Sequence, residues 1–195
     1  PALAGREIIG LDGQYWAWRN LTIYGNLAAW TTFYPQYKAA HILLDGITFI
    51  NAGRSQIRCK GVPYFEIRNC VFKGPRGETA SLRGAYQKFH HNTIYWTDDD
   101  NHNGDGYGAV VMFKSGGTGH HNEIYSNVFI GKKVTDINLL SPNRVALQIG
   151  GDFNTPVGWE QRYDEVHDNL FINWPGPGIY FRGVWDCSAY NNTII

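Results

Sequence analysis

Apolar residues fall along this chain in short runs rich in Ile, Val, Phe and Tyr, each run cut by Gly, Asn or Pro. The stretch EVHDNLFINW, residues 165 to 174, is typical: Asn169 stands between apolar neighbours and fits neither an amphipathic helix nor a plain surface strand. Runs of this kind predict short β-strands joined by turns and leave little room for long helices.

The opening stretch has relatives along the chain: WRNLTI, LDGITF, IRNCVF, HHNTIY, YSNVFI, HDNLFI and YNNTII. They place Asn20, Gly46, Asn69, Asn92, Asn127, Asn169 and Asn192 in one predicted column, at intervals of 26, 23, 23, 35, 42 and 23 residues. A second landmark, in CKG, LRG, FKS, IGG and FRG, sets Lys60, Arg83, Lys114, Gly150 and Arg182 in a matching column. Two columns that hold phase predict a repeat of about 23 residues with two enlarged units. A unit built of β-branched and aromatic runs broken by Gly and Asn is a coil of strands and turns. Stacked coils bring like residues together, and an Asn at each turn can bond the turn backbone and the Asn above and below. The residues beside the Asn positions do not fix which face points inward, because early coils favour one alternation and late coils the other.

Composition narrows the class. With 195 residues and no compositional break, one domain over 1–195 is expected. Lys plus Arg and Asp plus Glu both total 17, so no global field favours nucleic acid or an anionic membrane. No apolar run is long enough to span a bilayer, and the first residues, PALAGREIIG, lack the features of a signal peptide. Cys59, Cys70 and Cys187 have neither zinc-ligand spacing nor an even count, which predicts free thiols.

The stretches DGITFINAG, HHNTIYW, YSNVFIG and YNNTI resemble the rungs of right-handed parallel β-helix proteins of the pectate-lyase-like superfamily. That resemblance covers nearly the whole chain. It implies an all-β, single-stranded right-handed parallel β-helix, a solenoid of about seven rungs, here looking like a core fragment without terminal caps. It also implies a secreted or periplasmic location and a polysaccharide partner, with no nucleic acid or membrane partner. This fold carries lyases, hydrolases, esterases, epimerases, tailspikes and adhesins, so the reaction must be read from the site.

The basic column carries the candidate chemistry. Lys60, Arg83, Lys114 and Arg182, with Arg58 two residues before Lys60 and Lys38 near the same phase one coil earlier, would project from one face at successive heights. Such a stripe suits an acidic polymer, since guanidinium groups grip carboxylates in pairs; it also suits an ordinary solvated strand face. Inserts at 96–108, 131–144 and 150–164 are placed to wall a groove beside Lys114 and Gly150. Gly150 would leave a gap where a sugar ring lies flat, with Trp159, Tyr163, Tyr107, Trp174, Tyr180 and Trp185 available to stack on it. DDNHNG fits the opening of a calcium loop, with Asp98, Asp99, Asn101, Asn103 and Asp105 as oxygen ligands and Asp100 beside them. The twelfth loop position is Val110 where an EF-hand has Glu, so an acidic solvated turn competes with calcium.

By resemblance, calcium or an Arg neutralises a uronate carboxylate and a base removes the adjacent proton. Lys114 would be that base and Arg182 or Arg144 the neutraliser, with Asp152 and Asp186 orienting them. A glycoside hydrolase using Asp152 with Asp186 and a non-catalytic glycan-binding shaft remain alternatives. His90, His91, His120, His121 and His167 are read as a stacked polar ladder.

Overall fold

Side chains on a strand alternate between two faces, and a chain that must cover one core repeatedly with short apolar runs has to turn sharply and at the same place on every coil. This happens three times per coil. The computed structural model describes residues 9–25, 31–36, 38–75, 77–95, 111–113, 119–131, 145–151 and 161–195. Seven strands, β1 (Ile9–Leu11), β4 (Thr31–Pro35), β7 (Ser55–Arg58), β10 (Ala80–Leu82), β13 (Val111–Phe113), β16 (Leu147–Gly150) and β20 (Ile179–Arg182), form the first parallel sheet. The second holds β2 (Gln14–Arg19), β5 (Ala40–Asp45), β8 (Phe65–Arg68), β11 (Lys88–His90), β14 (Glu123–Tyr125), β18 (Glu165–His167) and β22 (Ser188–Tyr190). The third holds β3 (Thr22–Tyr24), β6 (Thr48–Ala52), β9 (Val71–Pro75), β12 (Thr93–Tyr95), β15 (Val128–Ile130), β19 (Leu170–Ile172) and β23 (Thr193–Ile194). A short pair, β17 (Gln161–Arg162) and β21 (Val184–Trp185), sits between the first and second sheets in chain order. The protein is a parallel β-helix of seven coils.

Each sheet sends one or two columns inward. Ile23, Phe49, Phe72, Ile94, Phe129 and Phe171 line the third sheet, where Phe49 lies flat on Phe72 (centroids 5.1 Å apart) and Phe129 on Phe171 (4.7 Å). Leu44, Ile67, Phe89, Ile124 and Val166 line the second, and Phe33, Ile57, Ala80, Val111 and Leu147 the first. Fully burying one such Phe or Leu contributes about 1.5–3 kcal/mol.

The predicted Asn column is two columns, one residue apart. Val71 pairs with Thr48, 23 residues back, but Thr93 pairs with Val71, only 22 on. Asn20 (φ 53°), Gly46 (φ 67°) and Asn69 (φ 53°) therefore share the left-handed corner between the second and third sheets with His91, Ser126, Asp168 and Asn191. Asn92, Asn127, Asn169 and Asn192 occupy the next position, in line with Ile47 and Cys70, and Asn92, Asn127 and Asn169 are buried there. This slip is why early and late coils gave opposite parities. The buried Asn residues form the expected ladder. Asn127 donates its backbone N–H and Nδ2 to Asn169 Oδ1 (3.0 and 2.9 Å), and Asn169 does the same to Asn192 Oδ1 (3.1 and 3.0 Å). Cys70 heads the ladder: its N–H donates to Asn92 Oδ1 (2.9 Å), and its thiol meets the Leu44 and Arg68 carbonyls. Cys59, Cys70 and Cys187 are free thiols, and burial pushes Cys70 up to about 12.

A second buried polar column lies at the corner between the first and second sheets. Gln87 N–H donates to Asn122 Oδ1 (2.8 Å), and Asn122 N–H to Asp164 Oδ1 (2.9 Å). Burial pushes the Asp164 carboxyl up to about 6, with hydrogen bonds from Asn122 and Gln161 opposing part of that rise.

Two outcomes test these columns. Removing Asn169 leaves the buried N–H of Asn127 without its acceptor and its Nδ2 with the Phe89 carbonyl alone, and each buried donor hydrogen left unpaired costs about 1–3 kcal/mol. Asn169→Ala should thus lower the urea-unfolding free energy by about 2–4 kcal/mol, and Asn192→Ala, at a more open coil, by less. Asp164 binds its proton more tightly folded than unfolded, so its contribution to stability is complete below pH 4 and is lost as pH rises to about 6. A two-unit rise corresponds to about 3 kcal/mol. Unfolding free energies measured from pH 4 to 8 should show Asp164→Asn removing that decline and exceeding the wild type above pH 7; parallel profiles would refute the assignment.

Candidate functional site

Among the described residues the strand register aligns part of the basic column. Arg58 lies opposite Ser81, which continues to Lys60 opposite Arg83, and Gly150 lies opposite Arg182. These residues end the strands of the first sheet, where an outward residue follows the inward column of Cys59, Leu82, Phe113, Ile149 and Phe181. The backbone around Arg83 is pinned by sulfur: Arg83 N–H donates to Cys59 Sγ (3.2 Å), and the Val62 N–H donates to the Arg83 carbonyl (3.0 Å). Burial pushes the Cys59 thiol up to about 11, so it stays a neutral packing group. Lys60 holds its ammonium 6.0 Å from the Tyr34 ring centroid, within cation–π range. Lys60, Arg58, Arg83 and Arg182 are all half-buried. Lys38 does not join them. The pairing of Phe33 with Ile57 continues to Gln36 opposite Lys60, so Lys38 falls two residues past the column.

Gly150 answers a backbone constraint. It is buried at φ 107°, and a Cβ there would overlap the carbonyl oxygen of Arg182 on the next coil. The position is glycine because two backbones close on each other there.

Several predicted site residues lie outside the described residues: Lys114, Arg144, Asp152 and Trp159, the calcium candidates Asp98, Asp99, Asn101, Asn103 and Asp105, and nearly all of the three inserts. Tyr180 sits on the outer face of the first sheet opposite Gln148, and Trp185 opposite Arg162; both are exposed. Trp174 meets Phe129 edge-on at 6.1 Å and packs against the core instead of offering a free face.

Asp186 belongs to a second left-handed column. At the corner into the second sheet, Tyr15, His41, Tyr64, Tyr86, His121, Tyr163 and Asp186 all adopt left-handed backbone, φ 52° to 64°. Six of the seven are aromatic, and their rings stack at 4.7 to 5.4 Å from Tyr15 to Tyr163. Each stands five residues before the next left-handed corner, as Tyr64 does before Asn69 and Tyr163 before Asp168, and that constant spacing was the available signal. Stacking offsets the strain of a left-handed aromatic residue, because a stacked pair adds about 0.5–1.5 kcal/mol beyond burial. The interior rings from His41 to His121 have both faces covered, so that part of the ridge shows solvent its edges and hydroxyls, while Tyr15 and Tyr163 end the stack and are exposed.

On the outer face of the second sheet the charges answer one another. Arg68 bonds Asp45 (3.0 Å) and Glu66 (2.9 Å), Lys88 bonds Glu123 (3.0 Å), and Tyr190 donates its hydroxyl to Glu165 (3.1 Å). Hydrogen bonds from Arg68 and Asn69 hold Asp45 below the usual carboxylate range. His90, Tyr125, His167 and Tyr190 stack in one column at 4.5 to 5.1 Å, which holds two of the histidines expected in a polar ladder, while His121 joins the tyrosine column and His91 and His120 make edge contacts. Burial lowers the pKa of His90 against the pull of Glu66, which favours its neutral form.

What the described residues bring together is thus a basic stripe on the first sheet and a self-neutralised, ring-stacked face on the second. No family model, curated protein or solved structure matches the chain.

Proposed function

We propose that the protein is a secreted or extracellular carbohydrate-active β-helix of pectate-lyase-like type that binds an acidic, uronate-containing polysaccharide and cleaves it by β-elimination. The observation that supports this reading is the register of Arg58 and Lys60 over Ser81 and Arg83, with Arg182 two coils further along the rod beyond the unit of Lys114. Lys60 and Arg83 on adjacent coils, about 4.8 Å apart along the axis, suit an extended polyanion laid along it. In this reading Arg182 or Arg144 pairs with the uronate carboxylate, which lowers the cost of carbanion formation at the neighbouring carbon. Lys114 takes that carbon's proton, the electron pair forms the ring double bond, and the glycosidic oxygen leaves with a proton from solvent. Calcium held by Asp98, Asp99, Asn101, Asn103 and Asp105 would supply further charge neutralisation. Tyr180 and Trp185, exposed beside Arg182, would contact neighbouring sugars, with Asp152 and Asp186 orienting the cations.

The test is incubation with a panel of uronate polymers. Elimination products absorb in the ultraviolet, and Lys114→Ala should reduce their rate of appearance by about 10²- to 10⁴-fold, the usual share of a general base. Arg182→Ala should impair the same reaction and weaken its dependence on salt. Reducing ends without that absorbance would replace elimination by hydrolysis, and binding without cleavage would leave a glycan-binding shaft.

A further inference from the structure

Consecutive residues of a strand point to opposite faces, so neighbouring side chains do not normally converge. A left-handed residue at the strand end cancels that alternation. This occurs three times beside a histidine, at His91 (φ 54°), His121 (φ 54°) and Asp168 (φ 55°). In each case the preceding histidine meets its neighbour at the same separation: His90 Nδ1 to His91 Nδ1, His120 Nδ1 to His121 Nδ1, and His167 Nδ1 to Asp168 Oδ2, all 2.8 Å. The corner is a backbone clamp that holds two polar ring or carboxylate atoms together without help from distant loops.

At His90 the clamp is completed. His90 Nε2 lies 3.2 Å from Glu66 Oε1, and the ring is stacked on Tyr125 at 4.5 Å with only 4° between planes. A carboxylate oxygen accepts, so Nε2 carries the proton and Nδ1 presents its lone pair toward His91. A carboxylate on the far nitrogen is how proteins orient a metal-ligating imidazole and raise its basicity. The nearby cation Arg68 is itself paired with Asp45 and Glu66. His90 is nearly covered while His91 is exposed.

Two imidazoles bound side by side at a right angle, with metal–nitrogen bonds of about 2.0–2.1 Å, stand about 2.9 Å apart. We propose that His90 and His91 are a two-imidazole chelate for a divalent first-row transition cation, copper(II) before the others, oriented by Glu66. Copper leads because it heads the affinity order for nitrogen ligands and accepts tetragonal sites completed by water. When the cation enters, His91 shifts its proton from Nδ1 to the solvent-facing Nε2, so the neutral pair binds without net proton release. No group of three or more His, Cys, Asp or Glu among the described residues could enclose a metal, which leaves the remaining coordination positions to water.

The experiment is titration of the untagged protein with copper(II) sulfate, read by calorimetry and by electron paramagnetic resonance. The first equivalent should show hyperfine structure from two nitrogens. His91→Asn places a residue that the same corner already accepts at Asn20, Asn69 and Asn191, so circular dichroism should stay unchanged while the two-nitrogen signal disappears. Glu66→Gln should weaken the first equivalent by about 10- to 100-fold, the usual effect of losing an outer carboxylate. His121→Asn should leave it intact. The proposal is overturned if the wild type shows no two-nitrogen copper, if His91→Asn and Glu66→Gln both bind as the wild type does, or if the first equivalent is lost only in His121→Asn.

Discussion

Two left-handed corners, five residues apart and repeated in register on every coil, are the constraint on which the rest of this molecule depends. Outside glycine, each such residue costs of the order of 1–2 kcal/mol in isolation. Here the cost recurs at the same place on successive coils, and at the corner from Tyr15 to Tyr163 ring stacking above and below offsets it. At one corner the fillers are aromatic, from Tyr15 to Tyr163; at the other they are Asn, Gly, His, Ser and Asp. Strain and stacking are therefore coupled. A coil that lost its left-handed corner would lose its strand alternation and its place in the ladder together.

The interior answers to the same constraint. Once the corner has turned, the next residue points inward at a place where backbone donors of the neighbouring coil need acceptors. Asn meets that need in four coils, and Ile47 and Cys70 fill the same position in earlier ones. At the other corner Gln87, Asn122 and Asp164 play the corresponding part, and there the carboxyl is held against its ordinary ionisation by burial. One set of backbone hydrogen bonds thus accounts for both buried polar columns, and leaves the outer faces free to vary.

That freedom is visible in how differently the outer faces are used. The second sheet pairs its charges and stacks its rings, so little of its polarity is left for a large charged ligand, and its distinctive feature is local: two imidazole nitrogens brought together by one turn. The first sheet carries Lys60 and Arg83 on adjacent coils, with Arg182 further along the same column.

By itself the sequence determined the strand-and-turn unit, the number of coils, the two enlarged units and the phase of the basic column. Each of these is a periodicity, and periodicity is written in local spacing. Only the tertiary structure decided which of two adjacent polar positions turns inward, since Asn suits both a left-handed corner and a buried ladder, and the difference is one residue between Asn69 and Asn92. It also decided that Gly150 admits the carbonyl oxygen of Arg182, that tyrosines and histidines from separate coils form one stack, and that His90 Nδ1 faces His91. Those outcomes rest on contacts between residues 22 to 42 positions apart and on backbone handedness, and neither is fixed until neighbouring coils have paired.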